Sequence, residues 1–278
     1  MAPVSEDNAA LREPGPDASD SSVAAGSLRL PLSPAGADRI RWVSVVATIV
    51  AAVALLVAQG TGYAATLGVT LALALAVAWG WPLLTGSWTP TATTVVLAVA
   101  SVAIVLSALR QDLLWVPAAV AFGILLAFSG QLVRRTGREG LVLTLLSSFG
   151  GLVVVASGTT AVVAANSDRG QAVAVVAMAA VGAAVVTDLL VGVRGATPFL
   201  GFVALAAAVL AAVVASRGSE VGTLEALGIG AAVGTVSWSF RRVLALQPAM
   251  LTARGQVGAG AGSVLAVGAV VHLFSVLT

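Results

Sequence analysis

The chain has 278 residues, 59% of them hydrophobic and 9% charged, and a mean hydropathy of +1.03; a soluble domain carries roughly 25% charged residues, so lipid is the expected solvent for most of this one. Its 14 basic residues against 12 acidic ones leave a net charge of +2, and the sequence pI of 10.4 arises because every basic residue is Arg, which keeps its charge past about pH 12; no basic patch for nucleic acid follows. Cysteine is absent, which excludes disulfides, thiolate metal sites and thiol nucleophiles.

Residues 1–41 carry Glu6, Asp7, Glu13, Asp17, Asp20 and Asp38 among many Ser, Pro, Gly and Ala. That composition cannot bury enough apolar area to offset its ordering entropy, and it lacks the short basic region of a cleaved signal peptide. It predicts a disordered cytoplasmic tail, followed by a transmembrane helical domain over 42–278 whose first span is an uncleaved anchor.

A helical span needs about 20 predominantly apolar residues. Nine such segments follow one another: Trp42–Gln59, Tyr63–Leu84, Thr91–Leu109, Asp112–Val133, Leu141–Ala165, Gln171–Val193, Pro198–Ser216, Gly222–Phe240 and Gln256–Leu277. Gly60-Thr61-Gly62 forms a tight turn between the first two, and Pro198 suits a first helical turn. A re-entrant Trp79–Pro90 stretch would change the count to eight or ten. The short loops make successive helices antiparallel neighbours, and the fold class is an all-α polytopic bundle. No internal repeat is visible.

Orientation follows from arginines near the span ends. With the tail inside, Arg29, Arg39, Arg41, Arg134, Arg135, Arg138, Arg194, Arg241, Arg242 and Arg254 are internal, whereas Arg110, Arg169 and Arg217 are external. This predicts the N-terminus inside, the C-terminus outside, and a multi-pass protein of the cell membrane. Trp42, Trp79, Trp81, Trp88 and Trp238 would form an aromatic belt at the inner interface.

Small residues let helices approach closely in lipid. Ala226, Gly230 and Gly234 line one face of the eighth span, and Gly258, Gly262 and Ala266 one face of the ninth; both read as packing surfaces. Arg134-Arg135-x-x-Arg138 could hold anionic lipid headgroups, although a short internal loop carries Arg simply to fix orientation.

Ionisable groups within the bilayer are costly and therefore informative. Asp188 lies near the inner end of the sixth span, Glu225 and His272 near the outer ends of the eighth and ninth. A direct Glu225–His272 pair is disfavoured, because both point away from the small-residue faces of their helices. On the fifth span Thr144, Ser147, Ser148, Gly151, Gly158 and Thr159 share one face, which should look inward. Thr144, Ser147 and Ser148 stand at about the same depth as Asp188, and Ser129 and Gln131 close to it. The candidate site is thus one inner polar cluster of Asp188, Thr144, Ser147, Ser148, Ser129 and Gln131, in which Asp188 accepts from the hydroxyls or lines a vestibule.

No GxSxG, GxxxxGK[ST], HExxH or DxxxD motif occurs, and one His without Cys cannot assemble an intramembrane metal centre. The expectation is a protein without enzymatic activity, cofactor or metal, whose partners are membrane lipids and membrane proteins.

Gly80-Trp81-Pro82-Leu83-Leu84, Asp112-Leu113-Leu114-Trp115-Val116-Pro117 and Gln131-Leu132-Val133-Arg134-Arg135-Thr136-Gly137-Arg138 resemble an uncharacterised permease-like family of integral membrane proteins common in high-GC Gram-positive bacteria. The resemblance implies a permease-like role in moving a small or amphipathic molecule and carries no site residues. The alternative is a non-transporting scaffold or assembly partner in a membrane or cell-envelope complex.

Overall fold

The structure, a computed structural model, describes residue 32 and residues 40–133, 140–193 and 197–277. The predicted tail, apart from those of its residues just named, and the Arg134–Arg138 cluster lie outside the described residues. Among the described residues there are ten α-helices and no strand: α1 (Trp42–Thr61), α2 (Tyr63–Leu84), α3 (Pro90–Ser107), α4 (Val116–Leu132), α5 (Leu141–Ala164), α6 (Asp168–Val186), α7 (Leu200–Ser216), α8 (Thr223–Leu244), α9 (Ala253–Leu265) and α10 (Gly268–Leu277). Short 3-10 turns extend α3 to Arg110 and α6 to Gly192, and precede α7 and α9.

Six helical segments are long and apolar enough to cross a membrane: α1, α2, α3 to Arg110, α5, α6 to Gly192, and Ala253–Leu277. The chain is therefore a multi-span membrane protein. The helices α4 and α7 are apolar but only 17 residues long. By contrast α8 is long enough at 22 residues, but Glu225, Arg241 and Arg242 make it more polar.

Local chemistry sets the boundaries. Gly62, at φ 129° and ψ 172°, turns α1 into α2 in a conformation that L side chains rarely adopt. Pro90 and Pro117 sit in first turns, where a missing N–H costs nothing. The starts of α6 and α9 share a motif: Ser167-Asp-Arg-Gly-Gln171 and Thr252-Ala-Arg-Gly-Gln256. In each, the Ser or Thr oxygen accepts from the glycine N–H, and the Gln amide donates back to the carbonyl of Ala165 or Met250. A Cβ on Gly170 would fall 1.8 Å from the Ala164 oxygen, and one on Gly255 2.2 Å from that of Ala249, so only glycine fits.

Packing divides the interior into two cores. One gathers α2, α3, α5 and α9 around Val77, Leu97, Ile104 and Leu152. The other surrounds α6, whose Val173, Val176, Ala177, Ala180 and Val181 are fully buried against α1, α7, α8 and α10. The last helical pair joins them, with Ala259, Ala261 and Leu265 in the first core and Val264, Val267 and Val271 in the second.

The small-residue faces of α8 and α9 each pack, but on different partners. Gly230 and Gly234 sit against Val209, Ala212 and Ala208 of α7, while Gly258 meets Gly80 of α2 backbone to backbone. A Cβ on Gly258 would stand 2.8 Å from the Gly80 Cα, where no rotamer change can relieve it. Gly258→Val should therefore destabilise the bundle by about 1–3 kcal/mol, seen as a lower midpoint of unfolding in mixed micelles. Gly68→Ala, with nothing within 4 Å of the added methyl, should be neutral or stabilising in the same assay.

Trp81 departs from the predicted belt. It is buried, its indole N–H donates to the Ser147 carbonyl at 2.8 Å, and its ring stacks on Phe240 at 5.7 Å. Gly150 and Gly151 leave the room it occupies. Trp42 and Trp79 are exposed, as an interfacial belt requires.

Candidate functional site

The predicted inner polar cluster separates into two groups. On α5, Thr144, Ser147, Ser148 and Thr159 are all buried, so the hydroxyl face does look inward. Its partner is the end of α2: Ser147 Oγ lies 2.5 Å from Thr85 Oγ1, while Thr144 and Ser148 donate to the carbonyls of Gly140 and Thr144 in their own turns. Ser129 is exposed on α4, and Gln131 is partly buried with its Oε1 unpartnered. No hydrogen bond joins any of these side chains to Asp188. The expected single cluster fails because matching depth along a helix does not match azimuth: α5 turns this face to α2 and α3, and Asp188 faces α8.

Asp188 stands in the 3-10 turn after α6, and its Oδ2 accepts from Arg241 Nε of α8 at 2.6 Å. Arg241 also donates through Nη1 to Ser237 Oγ, one turn earlier, at 2.5 Å. At the opposite ends of the same two helices, Arg169 Nη2 meets both carboxylate oxygens of Glu225 at 2.9 Å. Parallel helices α6 and α8 are thus joined twice, with the sign of charge exchanged between the two ends. Glu225 and Arg241 are 16 residues apart, or ~24 Å along α8, within reach of the ~30 Å hydrocarbon thickness. A shift of one turn would break both pairs, so the charges fix the register.

The final span is interrupted. Between α9 and α10 the helical ladder fails at Ala266–Val267, and Ser157 of α5 repairs it: its Oγ donates to the Ala266 carbonyl and accepts from the Ala269 N–H, each at 3.0 Å. Gly268 is dictated here, because a Cβ would lie 2.0 Å from the Ser157 carbonyl oxygen.

Beside the break lies a cavity of about 10 Å³ lined by Gln59, Thr66, Thr70, Gly158, Met178 and Gly268 among others. By this measure one water needs about 10–15 Å³. Gln59 is 8% exposed and its Oε1 is buried without a partner. Below it, α1 and α9 share polar groups: the Ser44 N–H donates to Gln256 Oε1 at 3.2 Å, and Thr48 Oγ1 lies 3.3 Å from Ser263 Oγ. Polar side chains therefore recur along the α1–α9 interface from the arginine-rich end to the cavity.

Two further openings lie at the arginine-rich end. A cleft of about 40 Å³ is lined by Arg41, Ser44, Asp188, Arg241, Arg242 and Met250 among others. A groove of about 350 Å³ between α7 and α8 has the apolar walls Phe202, Leu205 and Trp238, with Arg242 at one end. Among the described residues no group of three or more His, Cys, Asp or Glu side chains could hold a metal ion.

Sequence reasoning missed Arg241 and Ser157. The arginine count accounts for Arg241 only as a topogenic charge, although Ser237 one turn before it is a local signal for a held guanidinium. Ser157 carries no local signal, since its role depends on a break 109 residues away. No protein-family model, curated protein or solved structure matches the chain.

Proposed function

We propose that the chain is a permease-like protein of the cell membrane that crosses it nine times and moves a small or amphipathic solute. The observation that supports this most is the interrupted last span, which joins the two cores and stands beside a cavity with an unpartnered buried amide. Discontinuous helices at the boundary between two packed units are how many transporters build both a binding site and a hinge. A cavity of one water describes a closed conformation, in which the solute has left and the walls have met. The chain carries out no reaction, and it needs neither metal nor cofactor.

Nine crossings require α4, α7 and α8 to span as well. The two α6–α8 ion pairs support this for α8, since α8 runs beside α6, a segment long and apolar enough to cross, for ~24 Å between them. The arginine excess then puts Arg41, Arg241, Arg242 and Arg254 on the cytoplasmic side. With no native cysteine, single cysteines at Ser87, Asn166 and Ser219 report topology without background. An impermeant maleimide added to whole cells should label Asn166→Cys and Ser219→Cys and leave Ser87→Cys untouched; labelling of Ser87→Cys would reverse the orientation.

Transport itself is tested at the cavity. Gln59→Cys and Thr70→Cys in proteoliposomes should react with a small water-soluble thiol reagent, and the rate should change when solute mixtures from a cell extract are added. A non-transporting scaffold, the second reading, would keep both cysteines unreactive under every condition.

A further inference from the structure

We propose that the cleft between the start of α1, the turn after α6 and the last turn of α8 binds a phosphate or carboxylate group. This stands independently of whether the chain transports. Three guanidinium groups, from Arg41, Arg241 and Arg242, line the cleft together with one carboxylate, Asp188.

Arg241 gives the strongest indication. The residue is 4% exposed, with Nε committed to Asp188 and Nη1 to Ser237. Its Nη2 is buried without any hydrogen-bond partner. Of the five hydrogens that a guanidinium donates in a fixed plane, the two on Nη2 have no acceptor in this buried cation. Leaving charged donors unanswered is costly, and natural proteins answer them with an acceptor of opposite charge. Two-oxygen anions fit a guanidinium edge with two parallel bonds, which is why arginine rather than lysine dominates such sites.

The surroundings agree with an anion as the missing acceptor. Arg41 is anchored by donating through Nη2 to the Ala245 carbonyl at 2.7 Å, which ties the start of α1 to the end of α8. Ser44 adds a small polar side chain on the same wall. The Asp188 side chain is 27% exposed while that of Arg241 is 5% exposed, so the pair lies at the cleft with its carboxylate toward the opening. A cleft of about 40 Å³ admits an oxyanion group and excludes a whole lipid. The anion can therefore be a soluble phosphate or carboxylate, or the headgroup of a lipid whose chains remain outside.

The test uses the full chain purified in neutral detergent without phosphate. Unfolding midpoints are measured against inorganic phosphate, short-chain phosphatidylglycerol and short-chain phosphatidylcholine, with sodium chloride matching ionic strength. A saturable rise with phosphate and none beyond it with phosphatidylglycerol assigns a soluble oxyanion. A saturable rise with phosphatidylglycerol, and little with phosphate or phosphatidylcholine, assigns a lipid headgroup. In either case Arg242→Gln should weaken binding at least tenfold while Asp188 and Arg241 keep their pair. Ser44→Asp, which removes no arginine, should abolish binding by placing a second carboxylate in the cleft. No saturable response to either anion, or equal binding in the wild type and both variants, overturns the proposal.

Discussion

Replacing Asp188 by Asn should lower the stability of the folded bundle by about 3 kcal/mol, the lower end of the range for a buried ion pair stripped of one partner. The loss falls mainly on Arg241. Its side chain is 5% exposed, and Ser237 is a neutral acceptor that cannot replace a carboxylate. Asp188 is 27% exposed and recovers part of its solvation from water, which keeps the figure from being higher. The corresponding change at the other staple, Glu225→Gln, should cost less, because there the exposed partner is the cation: the Arg169 side chain is 30% exposed. A double-mutant cycle of Asp188→Asn with Arg241→Gln, followed by unfolding in mixed micelles, separates pairing from packing. A coupling of at least about 1 kcal/mol is expected; coupling near zero would mean that the two groups are neighbours without being partners.

Gly268→Ala should be strongly destabilising. Its Cβ would stand 2.0 Å from the Ser157 carbonyl oxygen, and both atoms belong to or are rigidly fixed by backbone. To relieve the clash α10 must move from α5, which also separates Ser157 from Ala266 and Ala269. Overpacking of this kind costs 1–3 kcal/mol or more, and the two broken hydrogen bonds add to it. Ser157→Ala isolates the second effect. It removes no packing volume beyond a hydroxyl, yet leaves a carbonyl and an N–H without a partner, so a loss of about 2 kcal/mol is expected. If Ser157→Ala were neutral, the break would be held by water or by packing, and Ser157 would be incidental to it.

The helices were readable from the sequence because lipid permits few alternatives: eight of the nine predicted apolar segments hold one α-helix each and the ninth holds two, α9 and α10, and six segments are long and apolar enough to cross a membrane. Small-residue faces were readable for the same reason. What periodicity could not supply was which face meets which helix. Gly230 and Gly258 were recognised as packing positions, but that one faces α7 and the other α2 is a property of the whole bundle. The same gap dissolved the polar cluster: similar expected depth does not set azimuth, and α5 turns the Ser147 hydroxyl to Thr85 and the Ser147 carbonyl to the Trp81 indole. Depth also could not foretell Asp188–Arg241, for Arg241 was explained by orientation alone. A short repeat is present in the sequence, since Arg-Gly-Gln occurs at 169–171 and again at 254–256. Its common geometry, a back-folded Gln over a glycine with no room for a side chain, is visible only with the preceding turn in place.

A hinge at Ala266–Val267 is the core of the permease proposal, and a distance across it is the most direct test. Leu273 on α10 and Val57 on α1 are 52% and 61% exposed, so spin labels there leave the cores intact. Pulsed electron–electron resonance on the doubly labelled protein in lipid nanodiscs should resolve two interconverting distances. Their proportions should shift in Ser157→Ala, which frees the break. One narrow distance, identical in the wild type and in Ser157→Ala, would contradict a moving last span and leave a rigid scaffold.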